Sequence, residues 1–160
     1  MDTTLKMLLA QEDEFQFDNF NNGDALQLGL LITKIAQEEI KKGVAIHIEY
    51  DEYPLFTYYM EGTSVHNIYW VNAKKSTVKK FGNSSFYIGE MYKSQGTTFH
   101  EATKLPSTEF QAEGGSFPLL VRGQGRVGSV TVSGLTGKED HELAVEGIKR
   151  YLCIKSDKIL

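Results

Sequence analysis

A chain of 160 residues with 41% apolar and 24% charged side chains has the proportions of one ordinary globular domain, which excludes a disordered, fibrous or low-complexity protein. Lys plus Arg number 17 against 21 Asp plus Glu, a formal charge of −4 that disfavours general nucleic-acid or acidic-membrane binding. The single cysteine, Cys153, excludes an internal disulfide and an all-cysteine zinc site, and suits a reducing compartment.

Residues 1–14 read as an N-terminal extension, a short amphipathic helix through Leu5, Leu8 and Leu9. They lack the basic start and long apolar run of a secretory signal, and no later stretch is apolar enough to span a bilayer. A cytoplasmic protein with neither membrane nor nucleic-acid partners is expected. Phe15 and Phe17 alternate with polar residues as on a half-buried strand. Asn22 then caps a helix, with Asp24 placed for its dipole and Leu28, Leu31, Ile32 and Ile35 at helical spacing up to Gly43.

Val44 to Tyr50 alternates as a strand, with Val44, Ile46 and Ile48 on one face and Ala45, His47 and Glu49 on the other. A turn at Asp51-Glu52-Tyr53-Pro54 leads into a second strand, Leu55 to Met60, giving a hairpin. Thr63-Ser64 caps a helix to about Phe81, where Gly82-Asn83 stops it, and Ser84 caps a further helical segment to about Ser94. Residues 95–115 read as a long loop with a helical turn. Phe117–Arg122 and Arg126–Ser133 form a second hairpin around Gly123-Gln124-Gly125. Thr136 and Glu139 have the spacing of a capping box, opening a last helix to about Leu152 before a polar tail over 153–160. Hairpins mixed with helices predict an α+β fold with a mostly antiparallel sheet, in a single domain spanning 1–160.

Some motifs imitate chemistry. Gly123-Gln124-Gly125-Arg126-Val127-Gly128 matches a dinucleotide fingerprint, but a strand follows where the phosphate-binding helix must start. His141-Glu142 begins like a zinc-protease motif, yet Val145 occupies the second histidine's place. His47 and Glu49 share a strand face and would need a third ligand from elsewhere to hold a metal. His66 and His100 have no partner at ligand spacing. No metal site is read.

Three features carry more. On the helix ending at Phe81, Trp70, Ala73, Thr77 and Phe81 define one face, and Lys74 falls within that stripe. A lysine head among apolar side chains either snorkels to water or meets an anion, which can be a protein carboxylate or a ligand's carboxylate or phosphate. Gly114-Gly115-Ser116 precedes a strand, and its glycines either serve a tight turn or let backbone N–H groups cradle an anion. Asp140-His141 lies in the first turn of the last helix, where the imidazole shares a stripe with Ala144, Val145, Ile148 and Leu152. It is an axial ligand, an acid/base group or a hydrogen-bonded core histidine, while Asp140 favours the helix dipole.

Taken together, Lys74-Lys75-Ser76-Thr77-Val78-Lys79-Lys80-Phe81, Gly114-Gly115-Ser116-Phe117-Pro118, and Gly128 to Leu135 with Asp140-His141-Glu142 resemble the heme-degrading-domain family. Its wider relatives include GlcG-like proteins, a heme-binding sensor of streptomycetes and the C-terminal domain of the PduO adenosyltransferase. The resemblance runs from about Phe17 to Leu152 and is closest to a short cytosolic branch. It implies a profilin-like fold with a five-stranded antiparallel sheet flanked by helices, and homo-oligomers; some members of the wider family bind heme or degrade it slowly and others are linked to corrinoid metabolism, so the resemblance allows heme as a cofactor or none. The helix from Asn22 to Lys42 contains no histidine, whereas one heme-binding relative takes its axial ligand near the start of its chain, so heme would be held by His141, by another residue, or by nothing.

Two functions are therefore carried forward. In the first, a planar anionic ligand such as heme or another tetrapyrrole binds, with weak degradation at most. Lys74 meets a propionate, Trp70 and Phe81 stack, Thr77 lies between them, Gly114, Gly115 and Ser116 cradle an oxygen beside Asp140, and His141 ligates or shuttles a proton. In the second, a non-enzymatic oligomeric protein buries the same aromatic stripe between helices or subunits.

Overall fold

The computed structural model describes residues 2–157. Its elements run in the order α1 (Thr3–Glu14), α2 (Asn22–Ile35), β1 (Ala45–Tyr50), β2 (Tyr53–Tyr59), α3 (Val65–Phe81), α4 (Ser85–Ser94), α5 (Phe99–Thr103), β3 (Ser116–Val121), β4 (Gly125–Ser133) and α6 (Gly137–Asp157). The strands form one antiparallel sheet in the order β2-β1-β4-β3. Four strands are present among the described residues where five were expected. Phe17 accounts for the difference: it makes a single parallel bridge to Val121, with its N–H on the Leu120 carbonyl and its carbonyl accepting from Arg122.

The two faces of the sheet differ in chemistry. Ile46, Ile48, Phe117, Leu119, Val130 and Val132 are fully buried in one core with Leu28 and Ile32 of α2 and Leu143, Ala144 and Ile148 of α6. Burial of such side chains, about 1.5–3 kcal/mol each, is the main driving force of the fold. The other face carries His47, Glu49, Ser116, Ser129, Thr131 and Ser133, all buried, and α3 lies against it. Its polar atoms pair locally, as in the 2.9 Å hydrogen bond between the Ser116 and Thr131 hydroxyls and the 3.1 Å bond from the Asn67 amide to Ser133.

The local signals explain most boundaries. Asn21, one residue before the expected cap, closes a capping box with Asp24, because the reciprocal bonds need a three-residue spacing. The helix widens into a π turn over Ala36–Ile40 and stops at Lys41, which takes the left-handed conformation expected of Gly43. Gly43 instead permits close approach, since a Cβ there would lie 1.9 Å from the Glu61 carbonyl oxygen. Gly123 and Gly125 adopt positive φ in the β3–β4 hairpin turn. The tail expected after Leu152 continues α6 as far as Asp157, and residues 158–160 lie outside the described residues.

α1 docks through Leu5 and Leu8 and through the buried Glu12 carboxylate, which accepts from the Asn83 side chain at 3.1 Å and the Ser84 N–H at 3.2 Å. No helix among the described residues is long and apolar enough to cross a membrane.

Candidate functional site

α3 builds one wall of a cleft. Ser64 and Asn67 cap its start reciprocally, and Asn67 ties that start to Ser133 at the end of β4. His66, Trp70 and Lys74, each four residues from the next, then stand on one helix face. They line a cleft of about 370 Å³ together with Asn67, Glu113 and Asp140.

Its floor is an ion pair. Lys74, 3% exposed, donates to Asp140 Oδ2 at 3.0 Å and to the Val132 carbonyl at 3.3 Å, and its ammonium lies 5.8 Å from the Trp70 ring centroid. Asp140 also accepts from the Leu135 N–H at 2.9 Å and the Gly134 N–H at 3.4 Å. Burial pushes its carboxyl above the usual range, opposed by the Lys74 charge and by these hydrogen bonds. Gly115 backs the lysine at φ +140°, where a Cβ would fall 2.8 Å from Nζ.

This settles which anion meets Lys74 in the structure: the partner is the protein's own carboxylate. Asp140 is correspondingly an ion-pair partner as well as a first-turn acid.

The other expected members do not converge on the cleft. His141, 1% exposed, lies with its ring centroid 5.0 Å from Phe86 and 6.0 Å from Phe117, and its Nε2 is 2.8 Å from Gln11 Oε1 of α1. Its Nδ1 has no hydrogen-bond partner, and burial lowers its pKa to about 4. Successive helix positions diverge by about 100°, so Asp140 reaches α3 while His141 turns toward α1 and α4.

Thr77 is buried, and its hydroxyl donates to the Ala73 and Gln111 carbonyls. Phe81 packs edge-on against Phe99, with centroids 5.7 Å apart. Ser116 donates its N–H to Ser85 and shares its hydroxyl with Thr131, so it is spent inside the fold. Gly114 lets the chain cross the start of α6, since its Cβ would meet the Gly137 carbonyl oxygen at 2.1 Å. These glycines serve close packing, and the expected seat built from ammonium, imidazole and glycine amides is not formed.

His66, Asn67, Glu113 and Ser133 line the cleft but are not among the site residues expected from the sequence. The four-residue spacing of His66, Trp70 and Lys74 was the available signal for the first. Glu113 directly precedes the Gly114-Gly115 pair, and Ser133 reaches the cleft only through tertiary folding.

A family model described as Haem degrading protein HbpS-like matches residues 20–149, a span that leaves out α1. A UPF0303 protein of Psychromonas ingrahamii is 39% identical over 145 residues, covering 91% of this chain and 91% of its own. Among solved structures, the Ybr137w protein superposes with a TM-score of 0.84 at 27% identity, over 100% of this chain and 92% of that one. A PduOC:heme complex superposes with a TM-score of 0.68 at 17% identity, over 81% of this chain and 93% of its own, which is a likeness of fold.

Proposed function

The chain belongs to the HbpS-like heme-degrading protein family, and from that premise we propose that it binds a heme-class tetrapyrrole in the cleft between α3 and the β4–α6 turn. The observation that carries this reading is the placement of His66 and Trp70 one helical turn apart along that cleft. An exposed imidazole supplies a nitrogen donor for iron, and an indole supplies a flat apolar surface for the macrocycle.

The Lys74–Asp140 pair holds the floor, with Lys74 acting on Trp70 from below. Because Asp140 already neutralises Lys74 and Glu113 adds a negative charge, propionates are best accommodated toward solvent. Bound heme would supply an iron centre able to activate oxygen or peroxide. His141 takes no part, since its buried nitrogens lie on the α1 side of α6.

Titration of the full chain with hemin tests the proposal. A shifted Soret band that is lost in His66→Ala and Trp70→Ala but kept in His141→Ala is expected. No shift, or one kept by both cleft variants, overturns it.

A second reading, a self-associating interaction protein, is favoured by a different surface. Leu26, Leu30 and Ile154 are 48%, 50% and 40% exposed on α2 and α6, beside a groove of about 230 Å³ between those helices. Light scattering on the wild type and on Leu30→Glu separates the two: this reading requires an oligomer that the variant dissociates.

A further inference from the structure

On the α3-facing side of the sheet, β1 and β2 bring together a hydroxyl, an imidazole and a carboxylate. Thr57 is directly opposite His47 in the antiparallel register, and Glu49 follows two residues along the same face. Thr57 Oγ1 lies 2.8 Å from His47 Nδ1, His47 Nε2 lies 2.7 Å from Glu49 Oε1, and Lys75 of α3 holds that oxygen at 2.7 Å. His47 and Glu49 are 8% and 6% exposed, whereas Thr57 is open to solvent. The register slips by one residue beside Glu49, a bulge of the kind that re-aims side chains near reactive groups.

The charges decide the protonation pattern. Burial raises the Glu49 carboxyl, but hydrogen bonds from His47 and Lys75 outweigh it and hold the group below its usual range. An ionised carboxylate only accepts, so in the neutral imidazole Nε2 carries the hydrogen. Nδ1 is then a bare lone pair facing the Thr57 hydroxyl, which donates to it. A hydroxyl, a base and a group that orients the base is the arrangement that activates oxygen nucleophiles.

We propose that Thr57 is an acyl-acceptor site, with His47 as its general base and Glu49, held by Lys75, as the positioning residue. The donor class is an activated ester or thioester. Thr57 Oγ1 attacks the acyl carbon and its proton passes to His47 Nδ1. The bond from that carbon to the leaving oxygen or sulfur breaks, the leaving group departs with the bonding pair, and His47 returns the proton to it or to water. An ester on Thr57 remains. One transfer to the protein is proposed, without turnover.

The test is incubation of the full chain with p-nitrophenyl acetate, followed by peptide mass spectrometry of the Thr57 segment. Acetylation of Thr57 is expected, with its rate lowered about 100-fold in His47→Gln. Thr57→Val abolishes it and Thr57→Ser retains it. Glu49→Gln and Glu49→Leu both lower the rate, because neither supplies the negative charge that steadies the His47 imidazolium formed as Thr57 attacks. Thr57 is exposed, so Thr57→Val reports on chemistry even where His47→Gln fails to fold. Acetyl groups confined to lysines or tyrosines, or release of p-nitrophenolate equally fast in Thr57→Val, would overturn the proposal.

Discussion

Asp140 and His141 are neighbours in the chain whose side chains serve different sides of α6. Asp140 accepts from Lys74 at 3.0 Å under the cleft, while His141 Nε2 meets Gln11 at 2.8 Å under α1. One therefore holds a charge in place and the other is kept neutral by its surroundings.

Removing one member of the Lys74–Asp140 pair leaves the other's charge buried and unmatched. Lys74→Met and Asp140→Leu should each cost about 3–5 kcal/mol in urea unfolding. The double variant should recover most of that loss. Additive single costs would show that the two groups do not interact.

His141 gives the stability a defined pH dependence. Its pKa falls from 6.5 to about 4 on folding, so between those values the unfolded chain binds more protons than the folded one. Its contribution is complete above pH 6.5 and is lost as pH falls toward 4, by about 3 kcal/mol. His141→Leu should flatten that part of the curve, measured as the difference from wild type in chemical unfolding at pH 7 and pH 4.5. An unchanged slope would mean the imidazole is hydrated.

Gly115, behind Lys74, leaves no room for a side chain. Alanine there must hold φ +140° with its Cβ 2.3 Å from the Val132 carbonyl oxygen and 2.8 Å from Lys74 Nζ. Gly115→Ala should cost at least about 2 kcal/mol and weaken hemin binding by shifting Lys74 against Trp70. Thermal melting and the Soret titration report the two effects separately.

The start of α6 offers a milder perturbation. The Glu139 N–H donates to the Thr136 hydroxyl at 3.2 Å, and the Thr136 N–H donates to the Glu139 carboxylate at 3.3 Å. Thr136→Ala should cost about 1 kcal/mol, read from the urea midpoint.

Features that depend on nearby residues were legible in the sequence. The Thr136–Glu139 box, the Ser64 and Ser84 caps and the glycine turn at 123–125 all follow from spacing and backbone conformation. The α+β class followed from the same signals. The strand count did not, because alternation at Phe15 and Phe17 reveals a face but not how many partners a ladder will find. Lys74 shows the same limit at the cleft. Its position among apolar side chains leaves water, a ligand and a protein carboxylate as the head group's partner, and the choice among them depends on Asp140, 66 positions away. His141 was ambiguous because α1, docking over it through Gln11, decides what surrounds the ring.

The lone bridge between Phe17 and Val121 makes the two borders of the sheet unequal. Beyond β3, the incoming chain occupies backbone groups that would otherwise invite another strand, whereas β2 has no such guard among the described residues. Any lateral growth, whether orderly assembly or fibril formation, should start at β2. Severing the chain just after Phe17 and losing the preceding fragment would give the molecule a second sticky rim.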